Sequence, residues 1–235
     1  NRQTLVVISA PQEKEAMEVI RNRCKETNAK LTEMARQIKY ETNDDHRLRI
    51  KGVFGEYPDL RLRLLGAHQL VNAALAVAVI EALRFCDINV GIEAVRKGLY
   101  NTLWPGRCEI VSKKPLVVLD GAQNIASAKV LEKTIRENFK YKKLILVLGI
   151  SKDKDIKGMC AELYGLADKV ILTKANNPRA AKPESLVKYF AGKDAYLTTN
   201  VREAINLARQ KSKEKHLILI TGSLFVAGEA RSIFK

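Results

Sequence analysis

The sequence predicts an α/β protein whose C-terminal half is a Rossmann-like, mostly parallel sheet. Two observations support this fold class. After Pro105, short apolar runs alternate with helical segments, which is the rhythm of a parallel sheet with crossover helices. The runs at 144–148 and 217–220 are uninterrupted, as expected of strands covered on both faces. Before Pro105, apolar and polar residues largely alternate, which indicates half-buried antiparallel strands.

The elements before Pro105 are predicted in the following order. The order is a strand over 4–9, a helix over 13–27, strands over 35–40, 47–53 and 60–64, and helices over 68–85 and 89–99. Clusters of Asn, Asp, Gly and Pro predict turns at 43–45 and 55–58. This part therefore reads as a mixed α/β unit.

The elements after Pro105 form a regular alternation. Strands are predicted at 115–119, 143–148, 169–173, 195–198 and 216–221, with helical segments between them. We therefore predict two domains, 1–106 and 107–235. Neither a G-x-G-x-x-G nor a G-x-x-x-x-G-K-[ST] motif occurs, so the sequence offers no dinucleotide fingerprint and no P-loop for ATP phosphates.

The chain of 235 residues carries a net charge of +15 that is unevenly spread. Residues 1–106 hold 16 basic and 13 acidic side chains, and residues 107–235 hold 25 and 13. Many of the lysines are far apart in sequence, which favours solvated helix faces: Lys129, Lys133, Lys140, Lys157, Lys169 and Lys188. The alternative interpretation is a nonenzymatic, basic Rossmann-like binding module, which predicts nucleic-acid affinity with a steep salt dependence.

Cysteine, histidine and hydropathy patterns exclude several classes of protein. The four cysteines are far apart and form no C-x-x-C pair, which fits reduced thiols in a cytosolic protein better than a disulfide framework. The three histidines are scattered, without metal-ligand spacing. We expect no apolar stretch of bilayer-spanning length.

Three polar motifs stand out against this background. Asp120 ends an apolar run and opens a glycine turn, which places a carboxylate at the carboxyl end of a strand, where open α/β sheets bind ligands. Upstream, Trp104–Arg107 reads Trp-Pro-Gly-Arg, a rigid turn that presents one guanidinium. Further upstream, a polar cluster opens an alanine-rich helix at 66–76.

Together, these motifs resemble the folylpolyglutamate synthase/dihydrofolate synthase branch of the Mur ligases. The resemblance keeps the family's order over roughly residues 60 to 231, and a weaker likeness lies at 6–12. It includes the segments at 148–155, 168–173, 177–180 and 221–231. The resemblance implies an ATP-dependent acid–amino-acid ligase that adds L-glutamate to tetrahydrofolate, to dihydropteroate, or to both in turn, through an acyl phosphate. A different Mur-type amide ligase, of the cell-wall or cyanophycin type, is the alternative within the superfamily.

The resemblance also implies roles for five residues. Arg107 matches the family's catalytic and nucleotide-binding arginine, Asn72 its adenine-contacting asparagine, and Asp120 an aspartate that approaches the nucleotide. Gln123 stands where the family usually has His, and we assign it to substrate binding. Ser223 follows the last core strand, where its hydroxyl and nearby amides would hold the carboxylates of glutamate.

Four of these residues also have a structural interpretation. Arg107 could be a surface arginine of a linker, and Asn72 could bond a neighbouring loop. Asp120 could cap the helix that starts near Asn124, and Ser223 could cap the helix that follows it. The polar residues of the 148–155 segment are expected to be loop and capping residues without a catalytic role.

The family carries its P-loop and Mg²⁺ ligands in an N-terminal segment, whereas this chain starts at Asn1. We therefore expect the C-terminal half of a longer enzyme, inactive alone, whose cofactors are ATP and Mg²⁺ and which holds no metal ligand in this segment. A positive cleft would suit ATP and a polycarboxylate folate. The expected protein is a cytoplasmic monomer with small-molecule substrates and neither a nucleic-acid nor a membrane partner.

Overall fold

The computed structural model describes residues 6–10, 12–43 and 47–234. These residues form two compact units that divide between Leu103 and Trp104, three residues before the predicted boundary. The assignment of the first unit to the end of a Mur-ligase central domain stays a prediction. Some predicted features lie partly outside the described residues: positions 4 and 5 of the first strand, 11 of the 6–12 likeness, 44 and 45 of the first turn, and 46 of the histidine set.

The first unit combines two small sheets with four helices among its described residues. Its elements are β1 (Val6–Ser9), α1 (Lys14–Thr27), β2 (Lys30–Glu33), α2 (Met34–Gln37), β3 (Lys39–Thr42), β4 (Leu48–Lys51), β5 (Glu56–Leu60), α3 (His68–Ala82) and α4 (Ile92–Asn101). A 3-10 helix, Leu83–Cys86, continues α3. Strands β1 and β2 pair in parallel, and β3, β4 and β5 form an antiparallel sheet in that order.

Helix α3 supplies much of the core of this unit. Its small apolar residues Ala74 and Val77 are fully buried and belong to one cluster with Ile50 and Leu60 of the antiparallel sheet. The stretch His68–Cys86 has 19 residues and a hydropathy of 1.5, so by length and composition it could cross a membrane. Our expectation that no stretch approaches that length was therefore wrong, although the core helix of a globular unit meets the same criterion.

Four predictions in the first unit were wrong, each for a local reason. The strand predicted over 60–64 is absent beyond Leu60, where β5 ends, and residues 61–63 have no regular secondary structure. The predicted strand over 35–40 is mostly α2 and the start of β3, because Met34 and Ile38, the two buried residues, are four positions apart as on a helix. The turn predicted at 55–58 is largely β5, an edge strand in which Pro58 is tolerated. Strand β2 was not predicted, since it contains no apolar run.

The second unit is a single six-stranded sheet with helices. Its elements are β6 (Glu109–Lys113), β7 (Leu116–Leu119), α5 (Ile125–Asn138), β8 (Lys143–Leu148), α6 (Ile156–Tyr164), β9 (Lys169–Leu172), β10 (Asp194–Leu197), α7 (Val201–Lys211), β11 (His216–Thr221) and α8 (Leu224–Ile233), with a 3-10 helix at Pro183–Phe190. The strand order is β10-β9-β8-β11-β7-β6. All neighbours are parallel except β6 and β7, so the predicted α/β class with a mostly parallel sheet is confirmed.

The sheet is buried on both faces, which explains its continuous apolar strands. One face packs Ile145 and Val147 of β8 with Ala204 of α7 and Val226 of α8. The alternate residues of β8, such as Leu146, are also fully buried, and alternate strand residues point to opposite faces. Because β7 to β11 run in parallel, their carboxyl ends share one edge of the sheet, called here the carboxyl edge, and their amino ends share the other, the amino edge.

Gly222, which follows β11 at the carboxyl edge, is required by its backbone. Its φ is +105°, and a Cβ there would lie 2.7 Å from the carbonyl oxygen of Gly149. We expect Gly222→Ala to lower the free energy of unfolding by about 2–4 kcal/mol, from backbone strain plus this clash. Gly228, inside α8, meets no atom within 4 Å, so Gly228→Ala should raise stability by about 0.5–1 kcal/mol. Urea denaturation of both variants checks the pair, and a Gly222→Ala protein as stable as Gly228→Ala would contradict the analysis.

Candidate active site

The Asp120 carboxylate joins two turns at the carboxyl edge of the sheet. Its Oδ2 accepts the backbone N–H of Cys108 at 2.9 Å, and its Oδ1 accepts that of Ala122 at 2.8 Å. Gly121 N–H donates to the carbonyl of Gly106 at 2.8 Å. Asp120 is only 9 % exposed. The carboxylate therefore fixes the turn after β7 against the Pro-Gly-Arg turn that precedes β6.

Asp120 does not cap helix α5, so that interpretation was wrong. The N-cap is Asn124, whose side chain accepts the N–H of Ser127 at 2.8 Å, while the Ser127 hydroxyl accepts the N–H of Asn124 in a capping box. Asp120 lies before the N-cap residue, and the amide that it binds, at Ala122, also precedes the helix. Gln123 lies in the same turn with its side chain exposed.

Arg107 is presented by the turn that Asp120 fixes. Its N–H donates to the Trp104 carbonyl at 3.2 Å, and Gly106 adopts a φ of +70°. The side chain is half-buried, and one terminal nitrogen would lie 3.5 Å from a Cβ added at Gly121. Within the described part of the second unit, no carboxylate lies at ion-pair distance from the guanidinium. Its charge is therefore directed at the Asp-Gly turn without being neutralised there.

Cys108 is the strained residue of the same turn. Its φ is +43°, a left-handed value that costs energy for any residue with a side chain. Burial, and then the adjacent Asp120 carboxylate, raise the pKa of the Cys108 thiol far above its ordinary value. The thiol is therefore neutral near pH 7 and unreactive as a nucleophile. All four cysteines are free thiols.

Glu109 and Arg231 tie the C-terminal helix to this turn. Glu109 Oε2 accepts the Gly106 N–H at 2.9 Å, and Arg231 Nε donates to the two oxygens of Glu109 at 2.9 and 3.0 Å. Both side chains are partly buried. Arg231 lies in the 221–231 segment that resembles the family, but the sequence predicted no role for Arg231 or for Glu109. Nothing in the sequence around Glu109, at the start of β6, indicates a partner 122 residues away.

Ser223 caps α8, as its structural interpretation predicted. Its Oγ accepts the Val226 N–H at 3.2 Å, and the residue is 4 % exposed. A Cβ at Gly121 would lie 2.3 Å from Leu224 Cδ2, so the first turn of α8 packs directly on the Asp-Gly turn. Beside Ser223 lies a crevice that also contacts Gly149 and Asn177, and that is too narrow to admit a water molecule.

The Ser-Lys-Asp-Lys-Asp turn after β8 contains loop and capping residues, as predicted. Asp155 caps α6 by accepting the Gly158 N–H at 2.8 Å. Asp153 forms an exposed ion pair with Arg179, whose guanidinium lowers the pKa of that carboxyl below its usual value. Because both carboxylates already have partners, neither is assigned a catalytic role.

Asn72 lies in the first unit, on the second turn of α3. Its Nδ2 donates to the Gln69 Oε1 at 3.0 Å, and the Gln69 amide in turn contacts the His68 ring at 3.0 Å. Asn72 itself is exposed. The helix N-cap is Ala67, without a side-chain hydrogen bond. Asn72 bonds its own helix, not a neighbouring loop.

Of the five predicted site residues, the structure brings three together. Arg107, Asp120 and Ser223 meet at the carboxyl edge of adjacent strands β7 and β11 through contacts of Gly121. Gln123 is in the same loop but points to solvent, and Asn72 belongs to the other unit. No group of three metal-ligating side chains occurs in the described part of the chain.

Comparison with known proteins places this arrangement in a family. The Mur ligase glutamate ligase domain model matches residues 106–224, which are about half of the chain and include the turn, the sheet and Ser223. The chain belongs to the Mur ligase family.

Individual relatives lie in the folate branch of this family. The chain is similar to the dihydrofolate synthase/folylpolyglutamate synthase of Mycobacterium tuberculosis, with 33% identity over 80% of this chain and 42% of the relative. A solved structure of M. tuberculosis folylpolyglutamate synthase with ADP and AMPPCP matches with a TM-score of 0.88 and 30% identity over 97% of this chain and 55% of that one.

A third match is a solved structure of a bifunctional folylpolyglutamate synthase/dihydrofolate synthase with Mn, AMPPNP and L-glutamate bound. Its TM-score is 0.80 with 26% identity over 93% of this chain and 51% of that one. The chain thus spans about half the length of the relatives it matches. The resemblance predicted from sequence is confirmed at the level of the family.

The Glu109–Arg231 pair should stabilise the Arg107 turn. Arg231→Ala should lower the free energy of unfolding by about 1–2 kcal/mol, because it leaves a partly buried carboxylate without its cation. Glu109→Ala should cost more, since the Gly106 N–H loses its acceptor as well. Urea denaturation of the two variants and of the double variant measures the coupling. Strictly additive effects would show that the two side chains do not act as a pair.

Proposed function

We propose that this chain is part of an ATP-dependent ligase that adds L-glutamate to a folate, either tetrahydrofolate or dihydropteroate. The observation that supports it best is the half-buried Arg107 guanidinium, held beside the Asp120–Gly121 turn without an ion-pair partner among the described residues of its own unit. The match to the glutamate ligase domain covers this turn. A cation that is positioned but not neutralised is suited to an anionic reactant.

The proposed reaction makes this cation useful. A folate carboxylate attacks the γ-phosphorus of ATP, ADP leaves, and an acyl phosphate forms. The amine of L-glutamate then attacks the acyl carbon and releases phosphate. Phosphoryl transfer depends on positioning and charge neutralisation more than on a general base. Arg107 would therefore neutralise charge on the transferring phosphoryl group.

Asn72 and Asp120 would each contact the nucleotide. The Asn72 side chain is exposed and, as an amide, both donates and accepts, which suits the edge of adenine. Asp120 would contact a ribose hydroxyl or a water of the nucleotide's shell. The use of a nucleotide is supported by relatives solved with ADP, AMPPCP and AMPPNP.

Glutamate would bind at Ser223 and Gln123. The Ser223 hydroxyl already accepts a hydrogen bond from Val226 and retains its own proton to donate to a carboxylate. The crevice beside it would have to widen to admit the amino acid. Gln123 is exposed and keeps a donor, but unlike His it cannot be cationic near neutral pH. It would tune the choice of acceptor or amino acid.

A metal site is not formed by the described residues, and the sequence contains no P-loop. When bound to ATP, Mg²⁺ would neutralise phosphate charge, and its ligands would come from outside these residues. We therefore propose that the chain alone does not ligate glutamate, and that the intact ligase is a cytoplasmic monomer. The test is Mg²⁺- and ATP-dependent incorporation of L-glutamate by the intact protein. Tetrahydrofolate, dihydropteroate and a cell-wall precursor serve as competing acceptors, and preference for the last would reject the folate assignment.

Arg107 and Asn72 should affect catalysis differently. In the intact ligase, Arg107→Ala should lower kcat by roughly 10³-fold, as for other arginines that act on a transferring phosphoryl group. Asn72→Ala should chiefly raise the KM for ATP, because adenine is bound equally in the ground and transition states. Steady-state kinetics of both variants, beside thermal melts, separate the two effects.

Thermal stability decides whether Arg107 is instead a structural linker residue. Its guanidinium forms no ion pair with the residues of its unit that the structure describes, so Arg107→Ala should melt close to the unaltered protein. A variant that keeps kcat but melts much lower would show that the arginine serves only the turn.

Ser223→Ala should raise the KM for L-glutamate by about tenfold, through loss of a hydrogen bond to a charged group. It should also lower stability by about 1 kcal/mol because it removes a helix cap. Asn200→Ala is the matched control, since Asn200 caps α7 in the same way by accepting the Glu203 N–H at 2.9 Å. Equal KM values for glutamate in the two variants would show that Ser223 acts only as a helix cap.

A further inference from the structure

The amino edge of the sheet gathers lysines that are far apart in sequence. Strands β8, β11 and β7 are neighbours, and the segment that leads into each carries two exposed lysines at the amino edge. The six residues, called here the lysine edge, are Lys113, Lys114, Lys142, Lys143, Lys213 and Lys215. Their side chains form no ion pair with another described residue. The interpretation of the lysines as dispersed surface charge therefore fails at this edge.

Contacts between the three segments show that the lysines are close in space. The Lys142 N–H donates to the Lys215 carbonyl at 2.8 Å, and Lys143 pairs with His216 in the register of β8 and β11. Leu116, which follows the lysines at 113 and 114, pairs with Leu217 in the register of β7 and β11. Burial, and then the nearby Lys143 and Lys213, hold the pKa of His216 below its ordinary value. The edge is therefore a region of concentrated positive potential.

Few acidic residues offset this charge. Glu214 is exposed between two of the lysines, and Asp194 is paired with Lys169. Asp168 accepts the Leu144 N–H at 2.7 Å and faces the same edge. The six lysines outnumber these three carboxylates, one of which is already neutralised by a cation outside the lysine edge. A net positive surface remains.

The lysine edge is remote from the candidate active site. It lies at the amino ends of the strands, whereas Arg107 and Asp120 lie at the carboxyl edge. The six-residue strands β8 and β11 separate the two edges by about 20 Å. At physiological salt this is about twice the screening length, so these lysines do little to attract ATP to the site. Their charge serves a different ligand or none.

The chemistry of the surface favours a phosphate backbone as its ligand. No large apolar side chain is exposed in the described segments 112–116, 139–144 and 212–217, whereas protein interfaces and membrane-bound helices need apolar anchors. No arginine fork for reading base edges is present there either. Lysines are point charges that bind phosphates without sequence preference. We propose that the lysine edge binds the phosphate backbone of nucleic acid, independently of its sequence.

Fluorescence anisotropy of a labelled 20-base-pair DNA duplex tests the proposal. Binding by the chain should weaken with KCl, with a slope of log K against log salt of about −4 if four to five phosphates are neutralised. The edge variant replaces Lys142, Lys143, Lys213 and Lys215 with Gln. It should bind at least tenfold more weakly at low salt, with a slope shallower by about 3 to 4.

A control variant of equal net charge separates a local site from diffuse attraction. It replaces four exposed helical lysines with Gln: Lys129, Lys133, Lys157 and Lys188. Its affinity should stay within about threefold of the unaltered chain, because it leaves the edge intact. Circular dichroism melts check that both variants fold. Equal losses in the two variants, or no binding of the duplex at 25 mM KCl (roughly the regime where such contacts are strongest), would overturn the proposal. So would tighter binding to phosphatidylserine vesicles that the edge variant loses.

Discussion

The hydrogen bonds of the Asp120 carboxylate are the constraint on which the candidate site depends. A buried, charged acceptor contributes about 1.5–3 kcal/mol per hydrogen bond, roughly twice a neutral one. Here the two oxygens bind backbone amides from two separate segments, at Cys108 and Ala122. Because Gly121 also bonds Gly106, the turn that carries Arg107 cannot move independently of strand β7. The turn thereby positions the guanidinium in advance, which is the condition that its proposed electrostatic role requires.

The second unit was largely predictable from sequence because its strands are buried on both faces. Runs such as 144–148 contain no polar residue, and the structure places β8 at Lys143–Leu148. Strand β6 was missed, since it is an edge strand with Glu109 and Lys113 at its ends and only two consecutive apolar residues. In the first unit the elements are shorter and half-exposed. There, the four-residue spacing of the buried Met34 and Ile38 matches a helix. The local sequence pattern did not distinguish this helix from a strand, because it does not show which residues become buried in the folded unit.

The site was predictable only in part, for a different reason. Asp120 and Ser223 follow apolar strands, so their place at the carboxyl edge follows from the parallel topology. Their hydrogen-bond partners do not, because these depend on turns that approach each other only after folding. The structural interpretation of Asp120 was a cap of the next helix, yet its carboxylate binds an amide twelve residues upstream. The Glu109–Arg231 pair joins the two ends of the second unit, and no pattern within either segment indicates it.

The same parallel topology that assembles the site also separates it from the lysines. Every βα connection places its loop at the carboxyl edge, where glycine turns and helix N-termini favour anions without needing side-chain charge. Every αβ connection places its loop at the amino edge, where helix C-termini favour cations. Lysines at 142, 143, 213 and 215 follow α5 and α7 and so complement those helix ends. To complement a helix C-terminus, however, lysines in the last helical turn would suffice. Lys114 follows a strand, not a helix, so helix complementation does not account for the whole lysine edge, and an anionic ligand gives the remaining charge a physical role.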